Sequence, residues 1–317
     1  MSIPPELIAL INQQSSREAP AGVRSLVEML LQQYEHSAQA ILFYGSCFRM
    51  GDDSDGLVDL YVLVDDYRSA LQSRMQIVAN KLLPPNVFYL ELPVRDRVVR
   101  TKYAVLSLAD FQRGTSKEWF HSYLWGRFSQ PTGLVYAHSS EIAELVKAAL
   151  AQAIVTFMTR VVPQMNSRFT ARELWYTGLT LSYRAELRSE RQENLVKLFD
   201  SAESYYEQLT RAAMASVPYD VKIVEGPEGF CYEVHIPLRV RSRNSSAWSL
   251  RRVQGKVLSI LRLCKAFFTF DNGLEYIQWK IERHSGVKTE WTPRLKKHPL
   301  LAVGVLCWRV YRKGGFR

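Results

Sequence analysis

The chain has 317 residues, of which 47% are hydrophobic and 23% are charged. This balance is sufficient for a buried core and excludes global disorder, and the length predicts about two domains. The 4 cysteines form no CxxC pair, which argues against a disulfide scaffold and against a cysteine zinc site. No apolar run reaches the roughly 18 residues that a membrane-spanning helix needs.

Charge is distributed unevenly along the chain. The net charge is +10, but residues 237–317 contain 18 basic and 4 acidic residues, which gives this region a net charge of +14. A strongly basic region attracts nucleic acid or an anionic lipid surface. The alternative, a basic surface that serves only solubility, stays open at this point.

The first 20 residues include Glu6 and Glu18 and lack a basic start followed by an apolar run. This pattern is typical neither of a secretory signal peptide nor of an Arg-rich transit peptide. We therefore expect a cytoplasmic protein.

Residues 22–106 alternate between helical and strand patterns. Strand 57–64 (LVDLYVLV) has the clearest pattern, because it is almost continuously apolar and Asp59 is its only charge. The predicted order is helix 22–36, strand 40–45, a helix or tight turn at 46–50, a loop at 51–56, strand 57–64, helix 67–81 after the caps Asp65 and Asp66, and strands 87–94 and 98–106. This order predicts an α/β or α+β unit.

The following residues are predicted to be mainly helical. Helical spacing covers 141–161 and 171–215, and a strand-like segment follows at 230–236. The basic region adds two predicted helices, 245–270 and 274–284, which an Asp-Asn-Gly turn separates.

A Gly-Ser pair lies one short loop before the charged strand. In nucleotidyltransferases of the DNA polymerase β type, such a glycine lets the backbone approach a triphosphate, and the serine and backbone N–H groups bind its phosphates. A carboxylate on the adjoining strand holds Mg²⁺. Gly45, Ser46 and Asp59 fit these three positions. The structural alternative is a tight turn with Asp59 paired to a neighbouring group.

The polymerase β motif usually has a second carboxylate two residues after the first, where this chain has Tyr61. A second metal ligand must then come from elsewhere. The candidates are Asp55, Asp65, Glu91 and Glu186. A nearby cation is still favoured, because an unpaired carboxylate in an apolar strand is unfavourable.

Several separated blocks resemble the mitochondrial-type CDP-diacylglycerol synthases, also called translocator assembly and maintenance proteins. The blocks are Tyr-Gly-Ser at 44–46 with Val-Asp-Leu at 58–60, Lys-Tyr-Ala-Val at 102–105, Tyr-Leu-Trp-Gly-Arg at 123–127, Ser-Tyr-Arg-Ala-Glu-Leu-Arg at 182–188 and Gln-Gly-Lys at 254–256. In that family a single Asp lies at the strand start, so Tyr61 is no departure from its pattern. The departures are Ala104 for Gly, Glu186 for Asp, and Gln130 and Asn194 for Lys.

The resemblance implies transfer of CMP from CTP to phosphatidic acid, which gives CDP-diacylglycerol and pyrophosphate and requires Mg²⁺. It implies Asp59, Glu186 and Lys102 as catalytic residues, with Asp59 and Glu186 as metal ligands. The nucleotide-binding residues that it implies are Tyr44, Gly45, Ser46, Arg127 and Arg188.

Element order and resemblance together predict an α+β fold. A polymerase β-type nucleotidyltransferase domain is expected over residues 1–112. A mainly helical domain follows over 113–216, for which a winged-helix-like fold is one option, and a basic amphipathic C-terminal region covers 217–317.

The basic region contains two candidate membrane-contacting segments. Segment 257–268 places apolar residues at helical spacing with Lys256, Arg262 and Lys265 beside them; the apolar residues are Val257, Ile260, Leu261, Cys264, Phe267 and Phe268. Segment 299–311 is apolar and ends near Trp308 and Tyr311. We predict peripheral attachment to an anionic membrane surface, on the cytoplasmic face of the inner cell membrane.

Two other functional interpretations remain. The chain could transfer nucleotides to RNA, or to another lipid or prenyl phosphate, or it could be a non-catalytic assembly factor in which Asp59 is structural. The placement of apolar and aromatic residues on one helix face favours lipid over nucleic acid, since single-strand binders display aromatics in an open groove.

Overall fold

A computed structural model describes residues 3–54, 56–94, 97–186, 192–226 and 229–269. Its helices are α1 Pro5–Ser15, α2 Ala21–Tyr34, α3 Gly45–Met50, α4 Tyr67–Ala70, α5 Arg74–Leu82, α6 Leu108–Thr115, α7 Trp125–Phe128, α8 Ser140–Val161, α9 Ala171–Arg184, α10 Gln192–Asp200, α11 Glu203–Met214 and α12 Leu238–Thr269. Its strands are β1 Ala38–Tyr44, β2 Val58–Val64, β3 Asn86–Val94, β4 Arg97–Ser107, β5 Thr132–Ala137, β6 Arg168–Thr170, β7 Val221–Gly226 and β8 Gly229–Val234. The predicted α+β class is confirmed.

The larger sheet has five strands in the order β3-β4-β2-β1-β5. Strands β2 and β4 run parallel, whereas the other neighbouring strands run antiparallel. Leu60 and Val62 of β2 pack in a cluster with α2, and Tyr61 and Leu63 pack in a second cluster with α8. Both faces of β2 are therefore covered, which explains its nearly continuous apolar sequence.

Helix α8 is the central helix of the second cluster. The segment Ser140–Gln164 is long and apolar enough to cross a membrane, but 67% of its most apolar window is buried inside the protein. It is the only helix of this kind in the described part of the chain. Its apolar sequence is therefore accounted for by core packing.

The four strands predicted in residues 40–106 are all present. The helix predicted over 67–81 is interrupted between α4 and α5, because Leu71 is extended and its side chain is buried. Asp66 caps α4 as predicted, since its side chain accepts a hydrogen bond from the Arg68 backbone N–H. Strand β5 lies in a region predicted to be helical; it pairs with β1 at the edge of the sheet.

The smaller sheet has the order β6-β8-β7 and contains the strand predicted at 230–236. One buried cluster joins residues from α1, the larger sheet, α9 and α12, among them Leu7, Tyr61, Trp175 and Trp248. The division into three domains remains a prediction.

Helix α12 begins at Leu238, before the predicted start at residue 245. Of its predicted apolar stripe, Val257, Ile260 and Leu261 are exposed, as expected for a surface contact. Arg262 and Lys265 do not flank this stripe as predicted. Their side chains instead turn inward and donate to the backbone carbonyls of Pro84 and Pro85, at 3.1 and 2.7 Å. The other residues of the stripe, and segments 274–284 and 299–311, lie outside the described side chains.

Candidate active site

A row of polar side chains crosses the larger sheet on the face that carries α8. The strand register places Tyr44 of β1 opposite Asp59 of β2, and Asp59 opposite Lys102 of β4. The row continues to Thr132 of β5 on one side and to Tyr89 of β3 on the other. Three residues predicted for the site are therefore neighbours on adjacent strands.

The Gly-Ser bend lies directly against Asp59. Gly45 has φ +85°, a conformation that favours glycine, and a Cβ atom built on it would lie 2.6 Å from Asp59 Oδ2. Ser46 follows at the start of α3 and is exposed. A side chain at residue 45 would displace the carboxylate, so glycine is required by both its backbone conformation and its surroundings.

Among the described residues, Lys102 is the cation that pairs with Asp59. Its Nζ lies 3.8 Å from Asp59 Oδ1, and the two side chains are 25% and 18% exposed. This distance is beyond hydrogen-bond range. The carboxylate is thus partly buried and only loosely paired, and it retains the capacity to bind a second cation.

Arg127 lies beneath Tyr44 and joins it to Glu186. Its Nη1 donates to the Tyr44 hydroxyl at 3.2 Å, and its Nη2 donates to Glu186 Oε2 at 3.3 Å. The Arg127 side chain is 8% exposed. Its Nε is buried without a hydrogen-bond partner in the described part of the chain. Arg127 is therefore a buried cation with one N–H group available.

Three tyrosines surround this arginine. Burial raises the pKa of Tyr44 and of Tyr61, so both phenols stay protonated at neutral pH. Tyr123 is hydrogen-bonded to Tyr61, hydroxyl to hydroxyl, at 3.3 Å. Burial acts to raise the pKa of Tyr123, but the guanidinium groups of Arg127 and Arg262, 4.6 and 4.0 Å from its ring centre, lower it overall.

The carboxylates predicted as further metal ligands are dispersed. Glu186 is bonded to Arg127, and Glu91 is bonded to Arg100 and to the Tyr89 hydroxyl. Asp65 lies at the other end of β2, roughly 20 Å along the strand from Asp59. Asp55 and Arg188 lie outside the described residues. Among the residues that are described, no group of three His, Cys, Asp or Glu side chains could hold a metal ion.

Tyr123 and Arg262 were not predicted as site residues. Tyr123 belongs to the Tyr-Leu-Trp-Gly-Arg block at 123–127, but its neighbours in sequence do not indicate that its ring contacts Arg127. Arg262 is far away in sequence and was assigned to the membrane stripe. Only the packing of α12 against residues 120–123 brings the two residues together.

The site brings together a loosely paired carboxylate, an exposed serine and two cations. Such groups are suited to phosphoryl or nucleotidyl transfer. The sequence profile of the family described as mitochondrial phosphatidate cytidylyltransferase matches residues 58–215. The chain belongs to this family of nucleotidyltransferases, and it functions in phospholipid biosynthesis by making CDP-diacylglycerol. No curated protein sequence matches the chain.

Proposed function

We propose that this chain transfers CMP from CTP to phosphatidic acid at the row formed by Tyr44, Asp59 and Lys102, in the manner of the polymerase β-type nucleotidyltransferases. The observation that supports this proposal best is the contact between Gly45 and Asp59. A backbone free of side-chain atoms beside a carboxylate leaves space for a triphosphate together with its metal ion.

Asp59 is the residue that fits Mg²⁺. Magnesium in proteins is commonly held by one or two carboxylates, with substrate phosphates and water completing its octahedral shell. Asp59 is partly exposed and its pairing with Lys102 is loose, so one oxygen ligand is available. When bound, the ion would neutralise charge that develops on the leaving pyrophosphate.

The resemblance implies Glu186 as a metal ligand, but its pairing with Arg127 favours a role in orienting the attacking phosphate. Arg127 would be fixed by Glu186 and Tyr44 and would present its free Nε–H to a phosphate oxygen. Lys102 would offset phosphate charge beside Asp59 as a point charge. A phosphate monoester is already ionised near neutral pH, so orientation and charge neutralisation suffice without a strong base.

We also propose that the chain attaches peripherally to the cytoplasmic face of a membrane through α12. The supporting observation is an exposed apolar stripe along this helix, formed by Leu250, Val253, Val257, Ile260 and Leu261. Arg252 and Lys256 are exposed on the same helix. Apolar residues flanked by basic ones suit the boundary between acyl chains and anionic headgroups.

The activity test uses CTP labelled on its α-phosphate, with Mg²⁺ and phosphatidic acid in mixed micelles. Label extracted into the organic phase, and lost when EDTA removes the metal, is the expected result. Label that stays in the aqueous phase, or that enters RNA supplied in place of lipid, would contradict the proposal.

Attachment is tested by flotation with liposomes that contain or lack anionic lipid. We expect binding to anionic liposomes, and reduced binding when Val257 and Ile260 are both replaced by Ser. Val78→Ser is the control, because Val78 is similarly exposed but lies on α5. Equal and negligible binding to both liposomes would remove the attachment proposal.

A further inference from the structure

Helix α12 has an unusual distribution of residues between its two faces. Its outward face carries the exposed apolar stripe, whereas Arg251, Arg262 and Lys265 turn toward the protein. Arg251 is 1% exposed, and its Nε donates to the Phe120 carbonyl at 2.8 Å. In the described part of the chain, neither Arg251 nor Arg262 forms an ion pair with a carboxylate. Buried cations without an anion are costly.

We call the contact between α12 and residues 120–127 the α12 seam. Five nitrogen atoms in this seam are buried without a hydrogen-bond partner among the described residues: Arg127 Nε, Arg251 Nη1, Arg262 Nη1, Trp125 Nε1 and His121 Nε2. The same holds for the hydroxyl oxygen of Ser122. Buried polar groups in folded proteins are nearly always satisfied, so such a set calls for an explanation. The three arginine atoms and the Trp125 indole nitrogen are donors, and the His121 nitrogen remains to be assigned.

The tautomer of His121 follows from its other nitrogen. The Tyr123 backbone N–H donates to His121 Nδ1 at 3.3 Å, so Nδ1 is an acceptor and Nε2 carries the hydrogen. Burial, followed by the charges of Arg262 and Arg251, lowers the pKa of His121 to about 3, which keeps the ring neutral. The α12 seam therefore presents five unused nitrogen donors, and an anion is the kind of ligand that accepts hydrogen bonds from such groups.

The position of the seam indicates which kind of anion would bind there. Arg262 and Arg127 both lie over the Tyr123 ring, and Arg127 is bonded to Glu186 and Tyr44 of the candidate site. The seam is thus separated from the site by one aromatic ring. Its other boundary is the helix whose outer face carries the apolar stripe. A ligand with a phosphate for the arginines and acyl chains for that stripe matches both surroundings.

We infer that the α12 seam binds the phosphate monoester of the lipid acceptor, with Arg262 as its principal ligand. This inference rests on the proposed function, since it supplies the acceptor side of a site whose nucleotide side is Gly45 and Asp59. Arg262 is partly exposed, whereas the other donors are shielded. The phosphate therefore reaches the seam from the Arg262 side.

The kinetic test uses dioctanoyl phosphatidate, a soluble substrate that removes membrane binding from the measurement. Arg262→Ala is expected to raise the KM for phosphatidate at least tenfold while the KM for CTP stays within twofold, and Arg262→Lys is expected to restore part of the loss. Arg243→Ala, which removes an exposed charge from the same helix, is expected to change neither constant. Equal changes in the two KM values, or a fall in kcat alone, would overturn the inference.

A binding measurement separates this inference from the proposed function. Calorimetry without CTP compares the binding of dioctanoyl phosphatidate, inorganic phosphate and dioctanoylglycerol. We expect dioctanoyl phosphatidate and inorganic phosphate to bind. Arg262→Gln, which keeps the side-chain stem, is expected to weaken the binding of both. Binding that depends on Arg262 in a protein that forms no CDP-lipid would support the phosphate site and reject the proposed function. CDP-lipid formation with phosphate binding unchanged in Arg262→Gln would reject the phosphate site alone.

Discussion

Two aspartates, Asp53 in the loop before β2 and Asp59 on β2 itself, have opposite surroundings. Asp53 is buried, and its Oδ2 accepts a hydrogen bond from the Val23 backbone N–H at 3.1 Å while its Oδ1 pairs with Arg97. Asp59 lies on β2 against Gly45, and its only ion-pair partner among the described residues is Lys102, 3.8 Å away. The first carboxylate is fully used by the fold, whereas the second is not.

The comparison separates two reasons for placing a charge inside a protein. Asp53 holds the beginning of α2 against β4, so its hydrogen bonds contribute to stability. Among the described residues Asp59 makes no bond of comparable quality, and the fold gains little from its charge. A carboxylate that folding does not use is available for a ligand.

Asp59→Asn is expected to lower CDP-lipid formation by about 10³-fold, which corresponds to roughly 4 kcal/mol of lost transition-state stabilisation. The reason is loss of the negative charge that holds the metal–nucleotide complex. The melting temperature is expected to change little, because a partly exposed pair at 3.8 Å contributes at most about 1 kcal/mol. A variant with wild-type activity would refute a catalytic role for Asp59.

Gly45→Ala is expected to lower activity by about 10²-fold, because the added Cβ meets Asp59 Oδ2 and moves the carboxylate. Gly51→Ala is the matched control. Gly51 also has a positive φ, +66°, but nothing lies within 4 Å of its Cβ position, so this variant carries backbone strain without touching the site. Similar losses of activity in the two variants would assign the effect to strain and not to Asp59.

The sequence was sufficient to predict the strands that carry the site. Strand β2 is apolar on both faces, so Asp59 stood out as its single charge, and the Gly-Ser pair indicated the bend beside it. The role of Asp53 was not predictable in the same way. It lies in a loop of polar residues, and its partners Val23 and Arg97 are 30 and 44 residues away in sequence. Only the folded chain brings them together.

Helix α12 shows a second limit of sequence patterns. Helical spacing identified its apolar stripe, but spacing alone cannot tell whether a stripe faces the protein or the solvent. The usual expectation is that basic residues lie on the outer surface of a protein, whereas the side chains of Arg262 and Lys265 turn inward.

Strand β5 was not predicted, because six residues between helical segments carry too weak a pattern. Its identity as a strand depends on pairing with β1.

Asp53→Asn is expected to lower the free energy of unfolding by about 2 kcal/mol, because Arg97 loses its anionic partner. The KM for CTP is expected to stay unchanged, since Asp53 does not belong to the polar row. Asp52→Asn is the control, because Asp52 is exposed and its side chain accepts hydrogen bonds from the backbone N–H and the hydroxyl of Ser54 within its own loop. Denaturant unfolding measures the stability difference. A change in the KM for CTP without loss of stability would contradict the assignment of Asp53 to the stability of the fold and of Asp59 to the site.

Lys265 extends the comparison to a cation. Its Nζ donates to the Pro85 carbonyl and to Asn80 Oδ1, both of which are neutral. Burial, together with the charge of Arg262, lowers the pKa of Lys265 from 10.5 to about 7. Between these two values the unfolded chain binds a proton at this residue and the folded chain does not. Stability therefore rises with pH across this window and is independent of this group below it.

The measurement is the free energy of unfolding from pH 6 to 10 for the wild type and for Lys265→Met. The difference between the two is expected to shift in favour of the wild type as pH rises above about 7, with a slope of at most about 1.4 kcal/mol per pH unit. A flat difference would mean that the carbonyl oxygens keep the ammonium charged. In that case burial of a lysine on α12 does not require the loss of its charge, and the unused donors of the α12 seam, which do not include Lys265, are unaffected.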